Sequence, residues 1–407
     1  MNIKTLFLVV LAVLGFAHAD AQKAVNLTVK NPANTQRHEV VEADAYALRN
    51  QLGIGANDPI RVRNAHGQLI PCQLTYDGKL LIEAAVRPNG EVAFRVEAGQ
   101  APATVSYASG AMFPLRKDDV AWENDRGAYR VYGPALRRTG ERALGVDVWT
   151  KSTPLPVVAR RYRQDYEGNV QEDSLRRKGD NDKAREVDMA TSFHLDHGDG
   201  MDGYGVGASL GCGASALVES DRLSIPWCYE KYRILDNGPL RFTVELTFHP
   251  MAFRADSVVQ HQLVSLDKGS HFNRCNVWYE GLTDNVSMAM GVVVHKEDVA
   301  SVLTGEDRVL YADPTDNPQR HNSQIYVGCL FPEGVSQTRT LMLDRPDGSI
   351  AGHAIGIVPL RPGQTYTYFF GSAWSNYDVP SFDAWKLCAN EELEAIRHPL
   401  TVTVVQL

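Results

Sequence analysis

No two cysteines of this chain stand in a CxxC spacing. The six, Cys72, Cys212, Cys228, Cys275, Cys329 and Cys388, are scattered along 407 residues, which removes the usual cysteine signatures of zinc sites and thiol redox centres. A chain of this length builds a core without disulfides, so buried free thiols are the expectation. Positive charge is also short. A formal net charge of −8 leaves no basic face for a nucleic acid. Beyond the N-terminus no apolar run is long enough to span a bilayer. There is no GxSxG elbow, and Cys212, within GCGA, has no base near it in sequence. His194, Asp196, His197, Asp199 and Asp202 are close together, but strand alternation would point 194 and 196 away from 197. Their acids are three apart rather than two, which is not the calcium-loop pattern. Calcium is left open without being indicated, and no metal or other cofactor is called for.

What is present begins with a leader. Asn2 and Lys4 precede the apolar run Leu6–Phe16, and Ala17-His18-Ala19 or Ala19-Asp20-Ala21 offers small residues for cleavage. This is the pattern of a secretory signal peptide over residues 1–21, too short for a membrane span. No cysteine follows it, which argues against a bacterial lipid anchor. The mature protein is expected to be exported, to the periplasm or the medium.

After the leader the chain reads as strands. Short alternating runs from 24 to 103, among them VNLTVK, IRVRN, KLLIEAAV and EVAFRVEA, are divided by turns such as Tyr76-Asp77-Gly78 and Pro88-Asn89-Gly90. They predict an N-terminal β layer or small sandwich over 22–108, with the linker near 100–110. From 109 to 407 a main domain is expected. Its strongest signal is the hairpin KYRILDNGPLRFTVELTF, with Phe242, Val244, Leu246 and Phe248 facing in. A second hairpin bends at Asp267-Lys268-Gly269. Only Phe382, Trp385, Ala389, Leu393 and Ile396, behind the N-cap Ser381, form a convincing helical stripe. Residues 160–186 are charge-rich and read as a solvated excursion. The fold class is therefore all-β: a large antiparallel β-sandwich of two curved sheets, with one C-terminal helix.

Two stretches carry candidate chemistry. Between Glu186 and Ala214, period-two alternation predicts a strand whose Val187, Met189, Thr191, Phe193 and Leu195 share a face. It breaks into a glycine-threaded loop bearing His197, Asp199, Asp202 and Tyr204, and side chains on such loops are frequent sites of chemistry. The other stretch is VAWENDRGAYRVYGPAL, from Val120. On a strand Trp122, Asn124 and Arg126 share a face, a flat ring beside an amide and a guanidinium, suited to a sugar and its carboxylate. A core tryptophan beside a surface ion pair fits that spacing equally. Asp147 and Trp149 share a face of a further strand.

Trp122-Glu123-Asn124-Asp125-Arg126, Tyr132-Gly133-Pro134, the loop from His197 to Tyr204, Gly211-Cys212-Gly213 and Asn237-Gly238-Pro239-Leu240-Arg241 together resemble family 4861 of the domains of unknown function. The similarity covers most of the mature chain, with Ala214 departing from an expected glycine. That resemblance implies an exported protein found beside bacterial polysaccharide-degrading enzymes, and a supersandwich like those of galactose mutarotases and hyaluronate-type lyases. An acidic oligosaccharide or polysaccharide is then the expected partner. β-Elimination at a uronate needs its carboxylate neutralised, a base for the α proton and an acid for the leaving oxygen. Arg126 and Asn124 suit the first task. His197 and Tyr204, in either order, suit the others, with Asp199 orienting His197 and Arg241 or Trp149 holding a neighbouring sugar. Trp122, Asn124 and Arg126 are expected to lie across one cleft from His197 and Tyr204. A glycoside hydrolase using two of the many acids, and a non-catalytic carbohydrate-binding protein, are the alternatives.

Overall fold

The computed structural model describes residues 23–295, 301–314 and 322–406; the leader expected at 1–21 lies outside them. Strand accounts for 48% and helix for 17%, so the fold is all-β, with antiparallel sheets. Alternation decides most of it. In Arg241–Phe248 the four predicted inward residues are buried, while Arg241, Glu245 and Thr247 stay half-exposed. This strand pairs with Tyr229–Asn237 across the predicted turn and with Asp256–Asp267 on its other side. Phe272–Glu280, Tyr366–Trp374, Gln324–Leu330, Arg308–Pro314 and Val302–Gly305 follow in order, and Met251–Phe253 completes a nine-stranded sheet.

The facing layer is assembled from two pieces. One is the four-stranded sheet of Ser109–Phe113, Asp119–Glu123, Gly127–Val131 and Asp147–Thr150; the other is a five-stranded sheet containing Cys212–Glu219, Val286–His295 and Ile350–Leu360. They are spliced where Cys212 N donates to Val146 O at 2.7 Å. Gly211 and Gly213 make the splice sterically feasible. Both have positive φ, +57° and +94°, and a Cβ on either would overlap the Val146 carbonyl or the Phe370 ring. Between the layers one core joins Trp122 and Tyr129 to Phe242, Val264, Met288, Ile355 and Phe370. Burying each such large side chain stabilises the fold by about 1.5–3 kcal/mol.

Two expectations fail in the segment 158–196. The charge-rich stretch is a helix, Val158–Arg177, and the anticipated strand after Glu186 is largely a second helix, Asn181–Thr191. Neither is amphipathic in the usual sense. Of the second, only Ala184 is fully buried, and Met189 is 51% exposed, so the alternating pattern there marks no buried face. The first is built from good helix formers, with Arg160–Gln164 and Arg176–Glu172 linked at i,i+4. Its start is held from outside: the buried Glu123 carboxylate accepts from Val157 N and Val158 N at 2.8–2.9 Å. Tyr162 and Phe193 then cover the outer side of the four-stranded sheet.

The C-terminal helix, Phe382–Arg397, forms as expected, with the Ser381 side chain accepting from Ala384 N. Trp385, Ala389 and Leu393 pack on Phe272, Leu310, Tyr326 and Leu330. The helix thus covers one half of the outer face of the nine-stranded sheet and leaves the other half open.

The N-terminal residues form their own two-sheet unit, with a core around Leu27, Val62, Leu80 and Phe94. The boundary expected at 108 is crossed by the last strand: Thr401–Gln406 pairs with Ala24–Lys30 inside the N-terminal sheet. Arg241 fastens the two units, binding Asp267 at 2.5 and 2.7 Å and Glu42 at 2.6 Å. No helix among the described residues is long and apolar enough to cross a membrane.

Candidate functional site

A cleft of about 1200 Å³ opens between the N-terminal unit, the C-terminal helix and the uncovered half of the nine-stranded sheet. Its walls carry Arg37, Arg126, Arg241, Lys268, His271 and Arg274 as well as Glu39, Asp267 and Glu392. Most of these charges are already paired. Arg37 meets Glu39, Lys268 meets Glu83 and Arg241 meets Asp267. Arg274, exposed on the cleft floor, has no acidic partner among the described residues.

The run from Trp122 to Arg126 explains how the cleft is held open. Trp122 Nε1 donates to Asn273 Oδ1 at 2.7 Å, and Asn124 Nδ2 donates to the carbonyls of Asp267 and Ser270 at 2.6 and 2.7 Å. Asp125 accepts from Gly269 N, while Asn124 Oδ1 turns the chain by accepting from Arg126 N. Residue after residue, this run clasps the turn that carries His271. Trp122 is fully buried between Tyr129 and Phe242 and presents no ring face to a ligand. Trp122 and Asn124 therefore position the cleft without lining it, a correction to their expected contact with sugar. Arg126 does reach it.

Arg126 Nη1 donates to Asp378 Oδ2 at 2.5 Å, and the same oxygen lies 3.1 Å from His271 Nε2. Burial pushes the Asp378 carboxyl up, but the His271 hydrogen bond and the Arg126 guanidinium outweigh it and hold it below the ordinary aspartate range. Asp378 stays ionised and fixes the imidazole by Nε2, leaving Nδ1 without a partner among the described residues. Tyr377 interacts with Arg126, yet burial keeps its phenol above the usual value and so protonated. On the helical wall, burial and the nearby Glu39 push half-buried Glu392 up to about 7. His271, Asp378 and Tyr377 were not singled out from the sequence. Position 271 reads there as part of a hairpin bend, and 107 residues separate it from Asp378.

The other nominees are not gathered here. His197 is exposed, with Nε2 2.9 Å from the Ser192 carbonyl. Asp199 does not orient it: both of its oxygens are taken by Arg160 and Arg161 of the helix. Trp149 lies under that helix, stacked on Phe193 with ring centroids 4.8 Å apart. Tyr204 is 3% exposed and packs edge-on against His295, which binds Asp313 at 2.6 Å. Burial raises its phenol well above 10, so it is no base. Arg126 and Arg241 alone among the predicted residues share the cleft, and Arg241 is committed to Asp267 and Glu42. Among the described residues no group of three or more His, Cys, Asp or Glu side chains is placed to hold a metal ion.

A separate cluster lies inside the molecule, where Arg130 meets Asp119, Asp147 and Asp202. Burial raises Asp147 despite Arg130, and raises Asp119 to about 6. An acid raised on folding binds its proton more tightly in the native state, so stability falls as pH climbs from 3.8 through the folded value. Asp147→Asn is expected to flatten that decline. Urea denaturation of both proteins across the mildly acidic to neutral range measures it, and parallel slopes would refute the assignment.

Fold and cleft together define an all-β, two-layered protein with a polar groove on one outer sheet face. The chain belongs to the family described as Domain of unknown function (DUF4861), whose model matches residues 29–402. A relative, uncharacterized protein P7 of Formosa agariphila, is 23% identical over 337 residues, covering 80% of this chain and 78% of its own. Among solved structures, a glycosyl hydrolase family 38 protein from Enterococcus faecalis superposes at TM-score 0.46 and 9% identity, over 94% of this chain and 48% of its own. An alpha-mannosidase from E. faecalis V583 gives 0.44 and 9%, over 94% and 46%. The chain spans about half the length of these two structures.

Proposed function

We propose that this is an exported carbohydrate-active protein that binds a uronate-containing oligo- or polysaccharide in the cleft and cleaves it by β-elimination. The observation that carries the reading is that His271, held by Asp378 at 3.1 Å, lines the same open cleft as the unpaired Arg274. Arg274 neutralises the substrate carboxylate, which lowers the cost of the charge that develops when the α proton leaves. His271 Nδ1 takes that proton, with Asp378 holding the ring and Arg126 holding Asp378. The C–O bond at the β carbon breaks, a carbon–carbon double bond forms, and the departing oxygen takes up the proton that His271 removed. The signal-peptide pattern read at residues 1–21 supports action outside the cytoplasm.

Hydrolysis is the second reading, favoured by Glu39 and Glu392, two cleft carboxyls of which one keeps its proton near neutrality. Incubation with a panel of uronate-containing polysaccharides separates the two. Elimination is expected to raise the ultraviolet absorbance of an unsaturated uronate. New reducing ends without that absorbance would move the assignment to the carboxyl pair. Binding without turnover across the panel would leave a carbohydrate-binding protein.

A further inference from the structure

The middle of a nine-stranded sheet is normally covered on both sides, yet here one face of its central strands is not. The register orders that face into rows. Thr243, Ser265, Arg274 and Phe369 lie side by side; next come Glu245, Leu263, Asn276 and Thr367; then Thr247, His261 and Trp278. Pleating sends all of them to the side opposite the core residues Val264, Cys275, Val277 and Tyr368. Ser265, Arg274 and Phe369 of the first row line the cleft, as does Thr367, while Thr243 is buried at the row's end. The third lies outside it on the same continuous surface.

We infer that this surface is an extended glycan-binding track leading out of the cleft along Phe272–Glu280, with Trp278 as its distal sugar platform. Three features support it. Trp278 is half-buried and belongs to none of the apolar cores, although it sits in a central strand. Its ring is held in place: His261 stacks on one face at 5.1 Å with planes 5° apart, and that imidazole is fixed by Thr247 Oγ1 at 3.3 Å and Glu280 at 3.4 Å. A pre-set aromatic plane costs a ligand little ordering entropy. Between Trp278 and Arg274 stand polar groups, Asn276 and Thr367, joined by a 2.7 Å hydrogen bond and available to sugar hydroxyls. Four residues along a strand separate the charged anchor from the platform by about 13–14 Å, the reach of a short oligosaccharide rather than one sugar. An apolar partner protein fits this mixture of hydroxyl, amide and single aromatic poorly.

This track rests on the reading of the cleft as a uronate site and adds chain-length selectivity to it. The test is calorimetric titration of the full protein with a size series of oligouronides, dimer to octamer. Wild-type affinity is expected to climb with length. Trp278→Ala should remove about tenfold of the long-chain affinity, the scale of one ring-stacking contact, and leave the dimer unaffected; Trp278→Phe should restore most of it. Arg274→Ala should weaken every length. Equal affinities for short and long chains, unchanged by Trp278→Ala, would overturn the track and leave the cleft standing. Absence of binding at every length would overturn both.

Discussion

His271→Asn is expected to lower turnover of a uronate substrate by about 10²–10⁴-fold, the usual contribution of a positioned acid–base group. KM should barely move, because the amide keeps the size of the ring edge and Arg274 still holds the carboxylate. Asp378→Asn should give a smaller loss. It leaves the base in place but removes the charge that fixes Nε2 and stabilises the imidazolium, so the pH profile should shift as well as drop. Arg274→Ala differs in pattern: KM should rise and kcat should fall, because this guanidinium both binds the carboxylate and stabilises the charge that develops on it. Steady-state kinetics on the three variants reads all of this. A His271 variant with wild-type turnover would remove the imidazole from the mechanism and leave Glu39 and Glu392 as the candidates.

The largest expected loss of stability comes from a residue far from that chemistry. Glu123 binds Lys151 Nζ at 2.7 Å and holds the start of the helix Val158–Arg177, and Lys151 is fully buried. Lys151 also donates to the Asn124 carbonyl at 2.6 Å. Glu123→Ala strands a buried ammonium and frees two helical N–H groups. A buried ion pair broken on one side costs about 3–5 kcal/mol, with a further contribution of about 1 kcal/mol from the lost cap. Replacing both partners, Glu123→Leu with Lys151→Met, should recover much of the first term, since no charge then remains in the core. Chemical denaturation of the single and double variants gives the comparison. A single variant as stable as wild type would mean that Lys151 sheds its proton or finds water without cost.

The helix Phe382–Arg397 and the hairpin at Gly238 were legible because each writes its burial into a local period. The helices at 158–191 were not, because no stripe of theirs is apolar and their anchor, Glu123, comes from another strand. The candidate site was legible only in part. Arg126 could be found because its neighbours form an unusual cluster of types, but their roles could not be read. On a strand face a tryptophan that stacks on sugar and one that fills a core look the same.

By itself, then, the sequence determined the all-β class, the buried face of Arg241–Phe248 and the position of its turn, since these follow from side-chain alternation over a few residues. Tertiary structure alone decided that Thr401–Gln406 returns to the N-terminal sheet, that Asn124 clasps the turn at Ser270, and that Asp378 meets His271. Those contacts join residues separated by 107 to more than 370 positions. Their formation depends on which sheet edges and which outer faces remain uncovered once the layers pack, and no local pattern encodes that.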